Sequence, residues 1–273
     1  MHRRLLIRPG AIGDCIVSLP ALEALRTAYT EIWVPAQNVP LIRFADNVRA
    51  IPATGLDLLE IRWPDPELEP LIARLHTFQS IVSWYGTARR EFRDLVGSLG
   101  LPFQFFPALP TDAGTHAVDF YLNQTTTLAN RPFDPVPRIP CPRQARASVV
   151  IHPFSGSDRK NWSLDQFRAV ARALEPDLAV EWCAGPSEPL AEAHRFADLY
   201  ELACWLAGAA LYIGNDSGIS HLAAAVGTPV IAVFGPTDPN VWGPRGEAVR
   251  IVRTEDSAES VVEVAHVLLA DRD

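Results

Sequence analysis

The sequence predicts an α/β protein built from two doubly wound halves, joined by a proline-rich hinge and facing a central cleft. Three observations predict it. Short apolar runs alternate with helix-length segments along both halves, which is the rhythm of parallel βα units. Glycine turns follow several of these runs, at the strand ends where such folds bind ligands. Between the halves lies LANRPFDPVPRIPCPRQARA, in which Pro132, Pro135, Pro137, Pro140 and Pro142 forbid both helix and central strand.

Taken in order, RLLIRPGAIGDCIVSLPALEALRTAY reads as a strand, a glycine turn and a helix. EIWVPA and QSIVSWYG are further strands of the first half. The proline segment, about 131–146, reads as an extended linker between a first domain at 1–143 and a second domain at 147–273. After it, ASVVIHPFSG is a strand and loop. SLDQFRAVARAL is a helix with Ser163 as N-cap and Asp165 and Gln166 in its first turn. LAVEWCAG is a strand, and PSEPLAEAHRFA reads as a helix beginning near Pro186. ELACWLAGA, LYIGN, PVIAVFG and VRIV continue the alternation. A last helix over about 258–269 carries the apolar stripe Val261, Val262, Val264, Ala265 and Leu268, and a return of this helix onto the first half is one expectation.

Composition narrows the function. The chain has 273 residues, 48% of them hydrophobic and 21% charged, which is ordinary for a globular protein. A formal charge of −8 argues against nucleic-acid binding and against firm adhesion to anionic lipid. Contact with a membrane is therefore expected to be peripheral at most. No apolar run is long enough to span a bilayer, and Arg8, Pro9 and Asp14 break up the start before a secretory signal could form. Cys15, Cys141, Cys183 and Cys204 are widely spaced in apolar surroundings, the pattern of a reduced, cytoplasmic protein with neither disulfides nor a zinc site.

Chemistry concentrates in three places. In YIGNDSGISHLAAAVGTPVIAVFG, a strand ends and a helix begins around Asp216, Ser217 and Gly218, with His221 one turn on. The unpaired amides at that helix start lie at its positive dipole end, so the turn can cradle an anion such as phosphate. Asp216 or Ser217 as a plain N-cap is the simpler alternative. HPFSGSDRKNW puts Ser155, Gly156, Ser157, Arg159 and Lys160 on a strand-end loop, where hydroxyls and an ammonium suit a diphosphate. Glu188, after the next strand, is either an acid compensating a helix dipole or an acceptor for ribose hydroxyls. In the first half, Gly10 and Gly13 turn the chain before Asp14. Their G-x-x-G spacing gives no support to a nicotinamide or flavin. Asp14 is an N-cap candidate and also a carboxylate at the ligand edge, placed as a general base would be. Tyr85, Gly86, Thr87, Arg89 and Arg90 follow the third strand and are assigned by position to the first half's side of the cleft. No strand-end Asp-x-Asp suggests a metal; such a triplet occurs only at Asp271–Asp273.

Four segments together resemble glycosyltransferase family 9, the ADP-heptose:lipopolysaccharide heptosyltransferases and their relatives. They are IRPGAIGDCIVSLPALEALR, HPFSGSDRKNW, GPSE and NDSGISHLAAAVGTPVIAVFGPTDP. The resemblance is collinear over most of the chain and implies a GT-B fold with two Rossmann-like domains. It implies inverting, metal-independent sugar transfer, without a cofactor, from an ADP-sugar to a saccharide or lipid-linked saccharide. Asp14 then matches the catalytic base, Lys160 the lysine that neutralises the donor diphosphate, and Glu188 the acid that binds the nucleoside. Asp216, Ser217, Gly218 and His221 match the phosphate-binding helix start. The alternatives are a nucleotide-sugar-binding protein or complex subunit without transferase activity, and a sugar-nucleotide epimerase.

Overall fold

Parallel strands cannot be joined by tight turns; each needs a crossover, and the crossovers deliver every outgoing loop to one edge of the sheet. The computed structural model, which describes residues 2–110, 114–129, 133–176 and 178–270, contains two such sheets. They belong to two compact units, one comprising Met1–Thr111 and Val118–Pro135, the other Asp112–Ala117 and Val136–Asp273.

The first unit runs β1 (Arg3–Ile7), α1 (Ile12–Ala24), β2 (Tyr29–Val34), β3 (Asn47–Ala50), α2 (Leu56–Arg62), α3 (Glu69–Leu75), β4 (Ser80–Ser83), α4 (Arg90–Ser98) and β5 (Phe103–Phe105), with α5 (Ala117–Thr125) following. Its sheet has the order β3-β2-β1-β4-β5, all parallel, with Leu6 in register with Ile32 on one side and Val82 on the other. The chain builds outward from β1 and then crosses back to β4. The topological switch therefore lies between the loops that leave β1 and β4. Leu5, Ile7, Trp33, Ile81 and Phe92 are fully buried in its core.

The second unit runs β6 (Ser148–His152), α6 (Leu164–Leu174), β7 (Ala179–Trp182), α7 (Leu199–Ala207), β8 (Leu211–Asn215), α8 (Gly218–Ala225), β9 (Val230–Phe234), α9 (Pro239–Trp242), β10 (Val249–Arg253) and α10 (Ala258–Ala270). The strand order is β10-β9-β8-β6-β7, again all parallel, and the switch falls between β6 and β8. β6, β8 and β9 are buried along their whole length, which explains their unbroken apolar character. α6 buries Phe167, Val170, Ala171 and Leu174, one helical stripe, and Ser163 caps it by accepting from Gln166 N at 3.3 Å.

Two readings change. The short edge strands β3 and β5 were not expected. The acids between Asp46 and Glu69 are engaged within the unit: Asp57 accepts from the Tyr85 hydroxyl, Glu60 pairs with Arg89, and Asp65 and Glu67 pair with Arg62. The helix expected from Pro186 does not form; Ala184–Asp198 is a series of turns, bridged where Cys183 pairs with His194. The last helix buries Val261, Ala265 and Leu268 in the second unit's own core. Asp271–Asp273 and Pro132 lie outside the described residues.

The described part of the proline segment is without helix or strand, as its prolines require, and it is strapped to the second unit. Ile139 N donates to Ala225 O, Pro140 O accepts from the Tyr200 hydroxyl, and Arg146 N donates to Gly208 O at 2.7 Å. At Gly208 a Cβ would collide with the Gln144 carbonyl oxygen, so the strap lies directly on this glycine. Gly208→Ala is expected to destabilise the protein by about 1–3 kcal/mol through overpacking against backbone. Urea unfolding checks this; an unchanged midpoint would show that the strap can lift away at no cost.

Candidate functional site

In the first unit, β1 ends at Ile7 and α1 begins at Ile12, so the turn between them is only four residues long. Gly10 makes it possible: its φ is +120°, and a Cβ there would lie 2.7 Å from the Asp14 Cβ. Gly13 is the second residue of the helix. The N-cap is Ala11, so the N-cap expectation for Asp14 is corrected. A helix that starts on alanine has no side-chain acceptor for its first amides. Asp14, at the third helical position, reaches back instead and accepts from Ala11 N at 2.9 Å. Its carboxylate is held at the mouth of the turn, half-buried. Asn38, fully buried, donates to the carbonyls of Gly10 and Ala11 from the other side.

The loop after β4 separates into two groups. Tyr85 and Arg89 support it: the Tyr85 hydroxyl donates to Asp57, and Arg89 stacks over the Tyr85 ring at 4.5 Å while pairing with Glu60 at 2.9 Å. Gly86, at φ +72°, lets the chain turn above Phe92, and the Thr87 hydroxyl donates to Phe106 O. Arg90 is 89% exposed beside Asp94. With Thr87, Arg93, Phe103 and Phe105 it lines a cavity of about 470 Å³.

The second unit's loops meet at the switch between β6 and β8. Asn215, the last residue of β8, is fully buried; its Oδ1 accepts from Trp162 N at 2.8 Å and its Nδ2 donates to Pro153 O at 2.8 Å. This one amide ties both ends of the loop after β6 to the end of β8. Within that loop the Ser155 hydroxyl lies 2.8 Å from Ser157 O and 2.7 Å from Asn161 Oδ1, so it braces the turn from inside. Lys160 comes next. Its Nζ lies 2.7 Å from the buried Asp216 Oδ2, which fixes the ammonium at the entrance to α8. Ser217 is the N-cap, accepting from Ser220 N at 3.4 Å, and the Ser220 hydroxyl donates to Asn215 O. Gly218 opens the helix, and His221 lies buried in its first turn. Ser155, Lys160, Asp216, Ser217, Gly218 and His221, distant in sequence, are thus drawn to one strand-end region.

Glu188 belongs to the neighbouring loop after β7. No helix starts there, so its reading as a dipole-compensating acid is corrected. Its Oε2 accepts from Gly185 N at 2.5 Å and from His152 Nε2 at 3.1 Å, and His152 is the buried last residue of β6. Arg195 closes the loop by donating to Glu188 O and Leu190 O. Burial pushes the Glu188 carboxyl up, but the hydrogen bonds from His152 and Gly185 outweigh it, and the group is held below the usual carboxylate range. Sequence reading missed Asn215, His152 and Arg195. A polar residue closing a buried strand is the signal that marks the first two; Arg195 carries none.

Two parallel α/β units, with polar residues gathered at the strand ends beside each switch, define a class of ligand-binding α/β protein. Residues 106–267 match glycosyltransferase family 9 (heptosyltransferase), and the chain belongs to that family. Asp14 lies outside the matched residues. Lipopolysaccharide heptosyltransferase 1 of Escherichia coli K12 is 28% identical over 170 residues, 58% of this chain and 43% of that protein. Its Salmonella typhimurium counterpart is 42% identical over 113 residues, 37% of this chain and 35% of that protein. The matched part is thus under half the length of these relatives. Among solved structures, E. coli heptosyltransferase WaaC with ADP superposes with a TM-score of 0.74 at 19% identity, over 97% of this chain and 99% of that one. A glycosyl transferase family 9 protein from Veillonella parvula gives 0.77 at 17% identity, over 99% and 97%. The fold is GT-B, as the motifs implied.

The depressed Glu188 carboxyl has a pH signature. Its contribution to stability is fully present above the unfolded value, about 4.3, and is lost as pH falls through the lower folded value. Comparing wild type with Glu188→Gln by urea unfolding between pH 3 and 7 should show a difference near neutrality that shrinks on acidification. A difference independent of pH would contradict the bonding described.

Proposed function

We propose that this chain is an inverting, metal-independent glycosyltransferase that moves heptose from ADP-heptose to a saccharide acceptor of the lipopolysaccharide type. The observation that carries it is the meeting of Lys160, Asp216 and the Ser217-capped start of α8 at one switch point, in a chain that belongs to glycosyltransferase family 9. WaaC has been solved with ADP and with ADP-2-deoxy-2-fluoro heptose, which supports the choice of donor.

In this reading the second unit holds the donor. The leaving group is ADP, and negative charge grows on its diphosphate as the anomeric bond breaks. Lys160 and the first amides of α8 offset that charge in place of a cation. Asp216 keeps the ammonium aimed at the phosphates, Ser217 and His221 complete the phosphate shell, and Ser155 braces the loop that carries Lys160. Glu188, ionised at neutral pH, accepts hydrogen bonds from the ribose hydroxyls, with His152 fixing its orientation. In the first unit Asp14 takes the proton of the acceptor hydroxyl. The freed oxygen attacks the anomeric carbon on the face opposite ADP, forming the new glycosidic bond with inverted configuration. Arg90, on the cavity also lined by Thr87, Phe103 and Phe105, suits a phosphorylated saccharide at the acceptor side. The donor is a charged metabolite that does not cross bilayers, so the reaction belongs in the cytoplasm, with peripheral contact to a lipid-anchored acceptor.

Asp14→Asn is expected to lower turnover of ADP-heptose with a deacylated lipopolysaccharide core by on the order of 10²–10⁴-fold while leaving ADP affinity intact. Lys160→Met is expected to weaken ADP binding about tenfold or more, as loss of one charge-assisted contact does. Saturable ADP binding with no glycosylated product from any core would make the protein a nucleotide-sugar binder. Product formed from donor alone would make it an epimerase.

A further inference from the structure

Beside the proposed base lies a buried charge that the mechanism leaves unused. Arg8, the first residue after β1, is 1% exposed, and among the described residues no carboxylate lies within ion-pair distance of it. Its Nη1 donates to Pro9 O at 2.8 Å. Its Nη2 lies 3.0 Å from Asp14 O and 2.8 Å from the Tyr121 hydroxyl. The guanidinium stacks over the Tyr121 ring at 4.5 Å, and its buried Nε has no partner. Burying a cation on neutral oxygens and a ring face is expensive, and an apolar side chain would fill the same space at lower cost. What a planar fork does here, and an apolar side chain cannot, is join the two ends of the Pro9–Asp14 turn.

We propose that Arg8, braced by Tyr121, is the positioning residue that sets the Asp14 carboxylate; this rests on the reading of Asp14 as the base. One Nη grips the carbonyl at the start of the turn and the other grips the carbonyl of Asp14 itself. The Asp14 side chain then closes the turn from outside through Ala11 N. Tyr121, on α5, is the anchor: its hydroxyl accepts from Arg8 and donates to Ala108 O at 2.8 Å. Burial pushes the Tyr121 phenol up and the Arg8 charge opposes this only in part, so the hydroxyl keeps the proton it donates. The charged and titratable groups around the turn are Arg8, Asp14, Tyr121 and the buried thiol of Cys15, which burial raises to about 12 and leaves neutral.

The test compares wild type, Arg8→Met, Arg8→Lys, Tyr121→Phe and Asp14→Asn. Each is checked for folding by thermal melting and for ADP affinity by calorimetry, then assayed with ADP-heptose and a deacylated core. Displacing a base by about an ångström costs roughly 10²-fold. Arg8→Met should therefore lose about that factor in kcat with the donor KM and ADP affinity unchanged. Tyr121→Phe should lose roughly tenfold, and Arg8→Lys, which keeps the charge but not the fork, should recover only part of the loss. Independently of turnover, hydrogen exchange at the Ala11 amide should quicken at least tenfold in Arg8→Met and Tyr121→Phe, with the β1 and β4 amides unmoved. Wild-type kcat and wild-type Ala11 exchange in folded Arg8→Met or Tyr121→Phe would overturn the positioning role while Asp14→Asn stays inactive. Full turnover by Asp14→Asn would instead overturn the base assignment, and this role with it.

Discussion

One buried side-chain amide organises the second unit. Asn215 ends β8 where the sheet's strand order reverses, and it has a donor and an acceptor to satisfy out of reach of water. It satisfies them on Trp162 N and Pro153 O, the two ends of the loop that leaves β6. An unpaired amide at this depth would cost roughly 1–3 kcal/mol, so the loop cannot move off without paying that penalty. Lys160 rides on the loop, and Asp216 follows Asn215 directly. The ion pair at the mouth of α8 is thus a consequence of how one amide is buried.

The first unit solves the matching problem with different parts. Its switch-point turn ends on an alanine N-cap with no side-chain acceptor, so the helix acid Asp14 closes it from outside and Arg8 closes it from within. Gly10 supplies the left-handed backbone angle, and a Cβ there would collide with the Asp14 side chain. Both units therefore present a charged side chain at the carboxyl end of a parallel sheet, a carboxylate in one and an ammonium in the other. In each case the charge is set by hydrogen bonds to the backbone or to a buried partner rather than by solvent.

Much of this was legible in the sequence, and the failures have physical causes. The helix α6 announces itself through Phe167, Val170 and Leu174 at helical spacing behind Ser163, and β6, β8 and β9 through unbroken apolar runs between turns. β3 and β5 do not, because NVRA and FQF are short, half-buried edge segments whose pairing is decided by their neighbours. The segment from Pro186 has the composition of a helix. It is held as turns because Glu188 folds back onto Gly185 N, Arg195 takes the carbonyls of Glu188 and Leu190, and His194 bridges to Cys183. Local propensity loses there to tertiary bonds that no window of sequence contains. The same holds within the site: the residue types at Asp14, Lys160 and Ser217 could be read, whereas the Lys160–Asp216 pair and the Arg8–Tyr121 stack join residues far apart in the chain.

The central claim is that the second unit's switch point holds a nucleoside diphosphate. Hydrogen–deuterium exchange with and without saturating ADP tests it most directly, because it reports where the ligand sits without requiring an acceptor. The account predicts slowed exchange in the loop over 155–161, at 217–221 and around Gly185–Glu188, with the amides of β9 and β10 unchanged. Protection confined to the first unit, or none at 217–221, would contradict it.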